Sequence, residues 1–555
     1  MASNKYAGAG LAATLIAAFF LQSIFASRMK SPTSDEPPHI AAGLSNLHAR
    51  VFYANPQHPP LLKELSAASL LLAGVRWPKS PRAQALIAGA TDPDWRLGLE
   101  WPVGNEIIAA NGPDRVMFWA RLPFVLVASL LGFLIYVWGR KLVGETAALG
   151  AVFLYALDPT ILAHSYLVTT DVGCAAFTLL FLFALWNYLR RPALTGLLMC
   201  GAALGAALGA KFSAIALVPV AAALMIAAAW LSGEKPPAGS LFLRRLAANG
   251  LAFLGMCVVA AVVVEAVYLF PRNPLLYVAG IQQVNADHIA NYPHYMAGRI
   301  AHHFDSYFVV AYLLKEPAAS IILAGLGLLV TLRTRAVTPL DKLFLVFPPA
   351  VLLAGYSLAA DDLGIRYIIP VLPFAYLIGG MGLALLVRTR SIWTRGLAGV
   401  LCAWLVVAAI GIYPDHLAYF NEAACLLQDP GQAGLDGGTA CGPQWLDDSN
   451  VDWGQGLKQL KWWLDDHAKG TRIRLYYFGS FPPASYGIPL EPGTTGFEWQ
   501  SGPAADLQSS FRPPGVVVVS SHIVARVPAM AAGSWLHDMP PDAIVGHSLY
   551  VYGLR

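Results

Sequence analysis

The chain has 555 residues, of which 56% are hydrophobic and only 13% are charged. Its mean hydropathy is +0.54, so it carries more apolar surface than a soluble protein of this length can bury in its cores. The net charge of +4 is small and gives no reason to expect a nucleic-acid partner. These figures exclude an ordinary soluble protein and predict a multi-spanning α-helical membrane protein.

Repeated apolar stretches, each able to cross a bilayer as a helix of about 20 residues, divide the first three quarters of the chain. A signal-peptide cleavage site needs small residues at two positions, and the end of the first stretch lacks them. We therefore expect this stretch to remain as an anchor. We predict eleven spans, at residues 10–27, 115–138, 145–164, 172–189, 194–210, 212–231, 248–270, 307–331, 342–360, 366–387 and 396–413.

Basic residues cluster in alternate connections between these stretches. Because lysine and arginine concentrate in cytoplasmic loops, the side that carries them is predicted to be cytoplasmic. Residues 28–114, 271–306, 361–365 and everything after 414 then lie outside, as expected for a protein of a bacterial inner (plasma) membrane with its chemistry on the extracytoplasmic face. The clusters are Arg140-Lys141, Arg190-Arg191, Arg244-Arg245, Arg333 with Arg335, and Arg388 with Arg390 and Arg395.

The first loop (residues 28–114) begins with the acidic pair Asp35-Glu36. Residues 39–54 and 60–75 have helical apolar spacing but are too short to span, which is typical of helices lying at a membrane interface. With His58 and Lys63 in its middle, such a loop can roof a cavity that binds a lipid head group. A carboxylate there can activate a nucleophile, and Lys63 can stabilise a phosphate. A solvated loop start remains the alternative interpretation of the acidic pair.

Three further charged residues are predicted to reach the same face. Asp171 lies at the lip of an apolar stretch, where an ionised carboxylate is costly unless it has a function or a partner; Asp158 is the rival candidate. Lys211, between two apolar runs, and Arg366, at the outer start of a span, suit a lipid phosphate. The alternatives are a snorkelling lysine and an ion pair of Arg366 with the Asp361-Asp362 dipeptide.

Four histidines, at positions 288, 294, 302 and 303, lie in the loop 271–306. Their spacing matches no compact ligand motif, so no metal site is predicted there. No cofactor is firmly predicted, and a divalent cation supported by Asp35 and Asp171 stays open as an alternative.

After Tyr413 the composition changes, and no later segment is apolar enough to span. We predict a soluble α/β domain over residues 414–555, following a transmembrane module over 1–413. Its helix is expected at 454–468 and its strands at 472–478, 515–520 and 548–552. Cys425 and Cys441 lie in this outer domain, where a disulfide between them is favoured over free thiols. Asp452 and Trp453 suit recognition of a sugar or acceptor, with a loop that caps the following helix as the alternative.

Several motifs together resemble the superfamily of protein O-mannosyltransferases and aminoarabinose transferases. They cover roughly residues 10–413 and comprise Asp35-Glu36, the run His58-Pro59-Pro60-Leu61-Leu62-Lys63, Lys315-Glu316-Pro317, and Arg366-Tyr367 with Pro370 and Pro373. The resemblance implies a GT-C fold enzyme that uses a dolichyl- or undecaprenyl-phosphate sugar. It also implies that Asp35 is the catalytic base, that Glu36 is the second member of the acidic pair, and that an acidic residue near Asp171 shapes the active site.

The tail strings Phe420-Asn421-Glu422 and Asp448-Ser449-Asn450-Val451-Asp452-Trp453-Gly454-Gln455 resemble a bacterial subset of these predicted transferases. The resulting hypothesis is a hexosyl- or pentosyltransferase that moves a sugar from a polyprenyl-phosphate carrier to a protein, lipid or glycan acceptor. Asp35 is the expected base, Glu36 and Asp171 orient the acceptor, and the carrier phosphate is bound near His58, Lys63, Lys211 and Arg366. A transporter of lipid-linked sugars and a non-catalytic glycan-binding scaffold are the competing hypotheses.

Overall fold

The computed structural model describes residues 2–88, 98–231, 239–287, 292–498 and 505–554. His288, one of the four histidines considered for a metal, lies outside these residues. The α-helices are, in chain order, α1 (Ala2–Met29), α2 (Glu36–Ala49), α3 (Leu61–Leu72), α4 (Pro81–Ala88), α5 (Glu100–Ala110), α6 (Pro113–Leu142), α7 (Glu145–Ala156), α8 (Pro159–His164), α9 (Asp171–Arg190), α10 (Leu194–Ala210), α11 (Leu217–Leu231), α12 (Gly239–Val267), α13 (Leu276–Asp287), α14 (Tyr307–Lys315), α15 (Ala318–Arg333), α16 (Pro339–Ala359), α17 (Leu372–Arg388), α18 (Ile392–Gly411), α19 (Ala423–Leu426), α20 (Leu457–His467), α21 (Ala505–Gln508), α22 (Ser521–Met530) and α23 (Trp535–Asp538).

Two 3₁₀ helices lie in the membrane part, Phe212–Ala216 before α11 and Ile365–Val371 before α17; shorter ones lie at His416–Ala418, Pro430–Gln432, Thr439–Gln444, Asp448–Asn450 and Pro483–Tyr486. The strands are β1 (His294–Met296), β2 (Arg299–Ala301), β3 (Ile473–Tyr476), β4 (Val516–Ser520), β5 (Ala543–Val545) and β6 (Leu549–Tyr552).

Within the described residues, eight helical segments are long and apolar enough to cross a membrane. The pair α14 and α15 adds a ninth if it is one span, although it bends by 112° at its break, and α7 and α10 are shorter apolar helices. The protein is therefore an integral membrane protein with a mostly helical membrane part, as predicted. The eight segments are Ala7–Met29, Pro113–Leu142, Asp171–Arg190, Phe212–Leu231, Gly239–Val267, Pro339–Ala359, Ile365–Arg388 and Ile392–Gly411.

The predicted span 145–164 is divided, and the sequence explains the break. Helix α7 ends at Ala156, and Pro159 opens α8, because a proline cannot continue the hydrogen-bond ladder of the preceding helix. The Asp158 carboxylate caps the new helix by accepting a hydrogen bond from the Ile161 N–H at 3.0 Å. All eleven predicted stretches are helical, but α7 and α10 are shorter than the eight full-length candidates.

Helix α17 is the most buried of the candidate spans and packs between α7 and α15. Small residues allow this close approach. A Cβ on Gly327 of α15 would lie 1.8 Å from the Ile378 carbonyl oxygen, and one on Gly380 would lie 2.1 Å from the Ala147 carbonyl oxygen. The 3₁₀ helix that leads into α17 is thereby held against the rest of the bundle.

The C-terminal part contains a four-stranded sheet in the order β3-β4-β6-β5. Strands β3 and β4 are parallel, with Ile473 opposite Val516, whereas β6 runs antiparallel to both of its neighbours. Alternate residues of β4 enter different clusters, Val518 with α20 and Val517 with α22, so helices cover both faces. The predicted helix and the three predicted strands are confirmed within a few residues.

The C-terminal part and the first loop are packed together rather than separate. Leu457 and Leu460 of α20 belong to the same hydrophobic cluster as Ile40 of α2 and Leu62 of α3. The predicted disulfide between Cys425 and Cys441 is present. The domain boundary at residue 413 stays a prediction.

Candidate active site

Asp35 lies in the connection between α1 and α2, immediately before the first residue of α2. Pro37 and Pro38 occupy the first turn of that helix, where a proline removes no intrahelical hydrogen bond, so the sequence fixes where α2 begins. The Asp35 side chain is 29% exposed, and its Oδ2 accepts a hydrogen bond from Arg366 Nη1 at 3.1 Å.

Arg366 belongs to the 3₁₀ helix Ile365–Val371, which follows Gly364. Gly364 has a φ of +128°, a backbone conformation that favours glycine. The guanidinium of Arg366 lies 4.2 Å from the ring centre of Trp453 and 5.4 Å from that of Tyr367. Stacking and the ion pair together hold Arg366 over Asp35.

Asp171 and Lys211 form a second ion pair close by. Asp171 is the first residue of α9, and its Oδ1 accepts a hydrogen bond from Lys211 Nζ at 2.7 Å. Lys211 lies in extended conformation between α10 and the following 3₁₀ helix, and its Nζ is 4.6 Å from the Tyr367 ring centre. Tyr367 thus lies beside both cations.

These residues line one cavity of about 550 Å³. Its polar wall comes from the first loop, the start of α9, Lys211 and the 3₁₀ helix of Arg366, whereas α16 contributes a mostly apolar wall. The structure therefore brings together Asp35, His58, Asp171, Lys211 and Arg366, five of the nine residues predicted from sequence. The cavity is also lined by His39, Tyr356 and Tyr367, and on its apolar side by Val351, Leu352, Gly355 and Ala359.

Burial raises the pKa of the Asp35 carboxyl above its usual value, and Arg366 opposes part of that rise. The rings of His39 and His58 lie 4.9 Å apart. Burial and the neighbouring cations Lys63, Lys211 and Arg366 hold the pKa of His58 well below its ordinary value, and burial with His58 does the same for His39. Both rings are therefore neutral near pH 7 and can donate or accept a hydrogen bond.

Glu36 does not line the cavity. Its carboxylate is fully buried, accepts hydrogen bonds from Arg121 at 2.8 and 2.6 Å, and also accepts from the backbone N–H groups of Thr33 and Val168 at 2.9 and 3.1 Å. The sequence predicted that Glu36 orients an acceptor, but both of its carboxylate oxygens already accept hydrogen bonds from the protein. Glu36 fixes the backbone next to Asp35 instead.

Lys63 is also turned away from this cavity. Its Nζ donates to the carbonyl oxygens of Asn55 and His58 at 2.8 and 2.7 Å, and burial lowers the pKa of Lys63 to about 7. It lines an adjacent cavity of about 400 Å³ that His58 also borders. Lys63 therefore holds the loop that carries His58.

Asp452 and Trp453 are buried, and neither lines the cavity. The Asp452 carboxylate accepts hydrogen bonds from the Gly454 N–H and the Ser520 hydroxyl, and burial raises the pKa of Asp452 to about 7. The Trp453 ring stacks against Arg366. The geometry therefore differs from the expected sugar-stacking surface.

Sequence reasoning missed His39, Tyr356 and Arg121 as contributors, and Tyr367 entered only as part of the Arg366-Tyr367 motif. A signal existed for His39, since it lies four positions after Asp35 and so on the same side of the helix start. A signal also existed for Arg121, because an arginine inside an apolar span needs a buried partner. Tyr356 offered none, being one aromatic residue in an apolar stretch.

The part of the chain that the structure describes contains no group of three or more histidine, cysteine, aspartate or glutamate side chains arranged to hold a metal ion. Asp35 and Asp171, which the sequence left open for a divalent cation, are each paired with a basic side chain. The charge that a cation would supply is already supplied by Arg366 and Lys211.

No curated protein matches this chain in sequence. Among solved structures, ArnT from Cupriavidus metallidurans in the apo state is similar with 14% identity over 98% of both chains and a TM-score of 0.47. The same protein bound to undecaprenyl phosphate has 13% identity over 98% of both chains and a TM-score of 0.45. The archaeal oligosaccharyltransferase AglB from Archaeoglobus fulgidus, in complex with an inhibitory peptide and a dolichol-phosphate, has 12% identity over 94% of this chain and 71% of its own, with a TM-score of 0.46.

A family model described as dolichyl-phosphate-mannose-protein mannosyltransferase matches residues 113–264. The matched segment runs from α6 to α12 and includes Asp171 and Lys211. The match confirms a resemblance to the mannosyltransferase superfamily over residues 113–264, whereas the motifs that indicated it from the sequence lie outside this segment.

Proposed function

We propose that this protein is a membrane glycosyltransferase that moves a sugar from a polyprenyl-phosphate carrier to an acceptor at the extracytoplasmic face. The observation that carries this proposal is the single cavity in which Asp35, Arg366, Asp171 and Lys211 meet. Two cations and a carboxylate of raised pKa, side by side, suit a reaction in which a phosphate leaves while an acceptor loses a proton. The family-model match supports the same class of reaction.

The carrier phosphate is proposed to bind Arg366 and Lys211. Within the described residues, Arg366 Nε and Asp171 Oδ2 are buried and have no hydrogen-bond partner. Arg366 lines the cavity, and the N–H groups of a guanidinium suit a phosphate oxygen. His58, as a neutral ring on the same wall, can donate a further hydrogen bond. The apolar side chains of α16 offer a surface for the first prenyl units.

Asp35 is proposed to act as the general base. It takes the proton from the acceptor O–H or N–H, and the freed lone pair attacks the anomeric carbon of the sugar. The new bond forms as the bond between that carbon and the phosphate oxygen breaks, so polyprenyl phosphate leaves with the bonding electrons. Attack opposite the leaving group inverts the anomeric centre. Binding of the phosphate to Arg366 would also release Asp35 from its ion pair.

The direct test replaces Asp35 with asparagine, which keeps the size of the side chain and removes the base. With purified protein and a polyprenyl-phosphate sugar, we expect transfer to fall by at least about 100-fold, the lower end of a general-base contribution. Asp305→Asn is the matched control, since the Asp305 side chain is fully exposed in another loop and lines no part of the cavity. Wild-type turnover by Asp35→Asn would contradict the proposal.

The same assay separates the competing hypotheses. A non-catalytic scaffold would show no transfer with any variant, and both Asp35→Asn and Arg366→Gln would keep glycan binding. A transporter would move a lipid-linked sugar across a liposome membrane without cleaving it. Release of free polyprenyl phosphate, coupled to sugar transfer, distinguishes the transferase from both.

A further inference from the structure

The tail segment Asp448–Gln455, which we name the clamp, is buried although six of its eight residues are polar or glycine. Asn450 and Asp452 are 0% exposed, Ser449 is 1% and Gln455 is 3% exposed. Buried polar groups require hydrogen-bond partners. In the clamp several of these partners lie in two distant segments, one of which carries Asp35 and the other Arg366.

The first set of contacts holds the backbone that carries Asp35. The Ser34 N–H donates to the Trp453 carbonyl oxygen at 2.7 Å, and the Ser31 N–H donates to the Gln455 carbonyl oxygen at 3.1 Å. The Ser31 hydroxyl donates to the Gly454 carbonyl oxygen at 3.0 Å. These bonds form a short ladder that ends one residue before Asp35.

The second set holds the backbone that carries Arg366. Asn450 Oδ1 accepts a hydrogen bond from the Ile365 N–H at 3.0 Å, and the Ser449 hydroxyl donates to the Leu363 carbonyl oxygen. A Cβ on Gly364 would lie 2.3 Å from Ser449 Oγ, so the glycine permits this close approach. The Asn450 amide also donates to the Tyr307 hydroxyl at 2.9 Å, which fixes its orientation.

Trp453 joins the two sets. Its carbonyl oxygen holds Ser34, while its ring lies 4.2 Å from the Arg366 guanidinium that bonds Asp35. The Trp453 backbone N–H donates to Gln455 Oε1 at 2.7 Å, and the Gln455 side-chain amide donates to the Val451 carbonyl oxygen at 2.9 Å. The clamp is therefore internally braced, and the indole face is presented to one cation.

We propose that the clamp is the positioning element of the active site and that Trp453 is a positioning residue, which sets the direction of the Arg366 guanidinium toward the carrier phosphate. This inference rests on the proposed function for the identity of the ligand. It assigns the C-terminal part a role in donor binding that is exerted through Arg366. Trp453 acts through Arg366 and does not touch the substrate.

The test is a double-mutant cycle on binding of undecaprenyl phosphate to the full-length protein in detergent. We expect Trp453→Leu to raise the Kd by about 3- to 30-fold, the range of a partly to fully desolvated cation–π contact, and Trp453→Phe to raise it less. In an Arg366→Gln background, Trp453→Leu should have no further effect, because the group through which it acts is gone. Equal effects in both backgrounds, or no effect in either, would overturn the proposal.

Trp535→Leu is the matched control, since it removes a buried indole of the C-terminal part that packs on Tyr552 in another cluster. It should leave the Kd unchanged, and an equal rise would show that the Trp453 effect is general destabilisation. If Trp453→Leu does not fold, the same cycle is made with Trp453→Phe. A rise in Kd when Arg366 is present, and none in Arg366→Gln, supports the clamp. Any other result overturns it.

Hydrogen exchange measured without ligand tests the clamp separately from the proposed transferase function. We expect Trp453→Leu and Asn450→Ala to speed exchange in peptides covering 361–368, and Trp535→Leu to leave it unchanged. If the wild-type protein does not bind undecaprenyl phosphate, the proposed function fails, and the exchange result alone decides on the clamp. Unchanged exchange in both clamp variants would overturn the inference even when the carrier binds.

Discussion

Arg366 controls the charge on Asp35 in the unliganded site. Burial raises the pKa of the Asp35 carboxyl, and the Arg366 guanidinium 3.1 Å away opposes that rise. A general base acts only when it is deprotonated, so kcat/KM should increase as the pH passes upward through the pKa of Asp35 in the free enzyme. The acid limb is expected above the pH at which an ordinary aspartate titrates.

Removing the Arg366 cation should raise the pKa of Asp35. In Arg366→Gln the opposing charge is lost, so the pKa of Asp35 rises further and the acid limb of the kcat/KM profile moves to higher pH. Lys342→Gln is a control, because this half-buried lysine donates to the Leu332 carbonyl oxygen and does not line the cavity. An acid limb that stays in place, or moves to lower pH, in Arg366→Gln would rule out Asp35 as the titrating base.

The sequence indicated both members of this pair but not their pairing. Asp35 and Arg366 are separated by 331 positions, and no local pattern reports a contact over that distance. From sequence, the nearest partners for Arg366 were Asp361 and Asp362. In the structure Asp362 instead accepts a hydrogen bond from the Phe304 N–H at 2.6 Å. The sequence indicated charged residues at span ends as candidates, because an unpaired charge is costly in the membrane. Which of them line one cavity could be seen only in the folded structure.

At the scale of elements, the buried pair of Glu36 and Arg121 locks the start of α2 to α6. Removing one partner of a buried ion pair leaves an uncompensated charge, so Glu36→Ala should reduce stability by about 3–5 kcal/mol. Glu491→Ala is the matched control, because Glu491 pairs with the partly exposed Arg474, and such a pair contributes about 0–1 kcal/mol. Thermal unfolding in detergent measures the loss of stability in both variants.

Two outcomes distinguish the structural role of Glu36 from a catalytic one. Replacing both partners, as in Glu36→Leu with Arg121→Met, should restore part of the stability that Glu36→Ala loses, because neither charge is then left alone. A Glu36→Ala variant as stable as Glu491→Ala would contradict the structural role.

Element positions were largely predictable, and the exceptions have local causes. The periodicity of apolar residues gave the eleven helical stretches and the helix and strands of the C-terminal part. The break after α7 depends on Asp158-Pro159, where the Asp158 carboxylate caps α8. Glu36 was assigned with Asp35 because it matches the second member of the acidic pair in the resembled family, but successive residues at a helix start point in different directions. One faces the cavity and the other faces Arg121.

For the whole molecule, a charge network ties the last β-hairpin to the membrane part. His547, between β5 and β6, lies 2.8 Å from Asp415 and 3.4 Å from Asp436, and Asp415 also pairs with Lys30 at the end of α1. Although burial opposes it, hydrogen bonding to the two aspartates raises the pKa of His547 to about 9.

This raised pKa gives a pH dependence with a definite sign. A histidine whose pKa is higher in the folded protein stabilises it fully below the unfolded pKa of about 6.5, and the contribution disappears as the pH rises through about 9. The difference in Tm between wild type and His547→Gln should therefore be largest near pH 6 and vanish above pH 9. A difference that is constant or grows with pH would contradict the charged network.

We expect the Asp35 cavity to bind the phosphate of a polyprenyl-phosphate carrier. The most direct measurement is an experimental structure with undecaprenyl phosphate bound. It should show the phosphate within hydrogen-bond distance of Arg366 and Lys211, the first prenyl units along α16, and the Asp35 carboxylate facing the sugar position. A phosphate bound instead beside Lys63 in the adjacent cavity, with the Asp35–Arg366 pair intact, would contradict the claim.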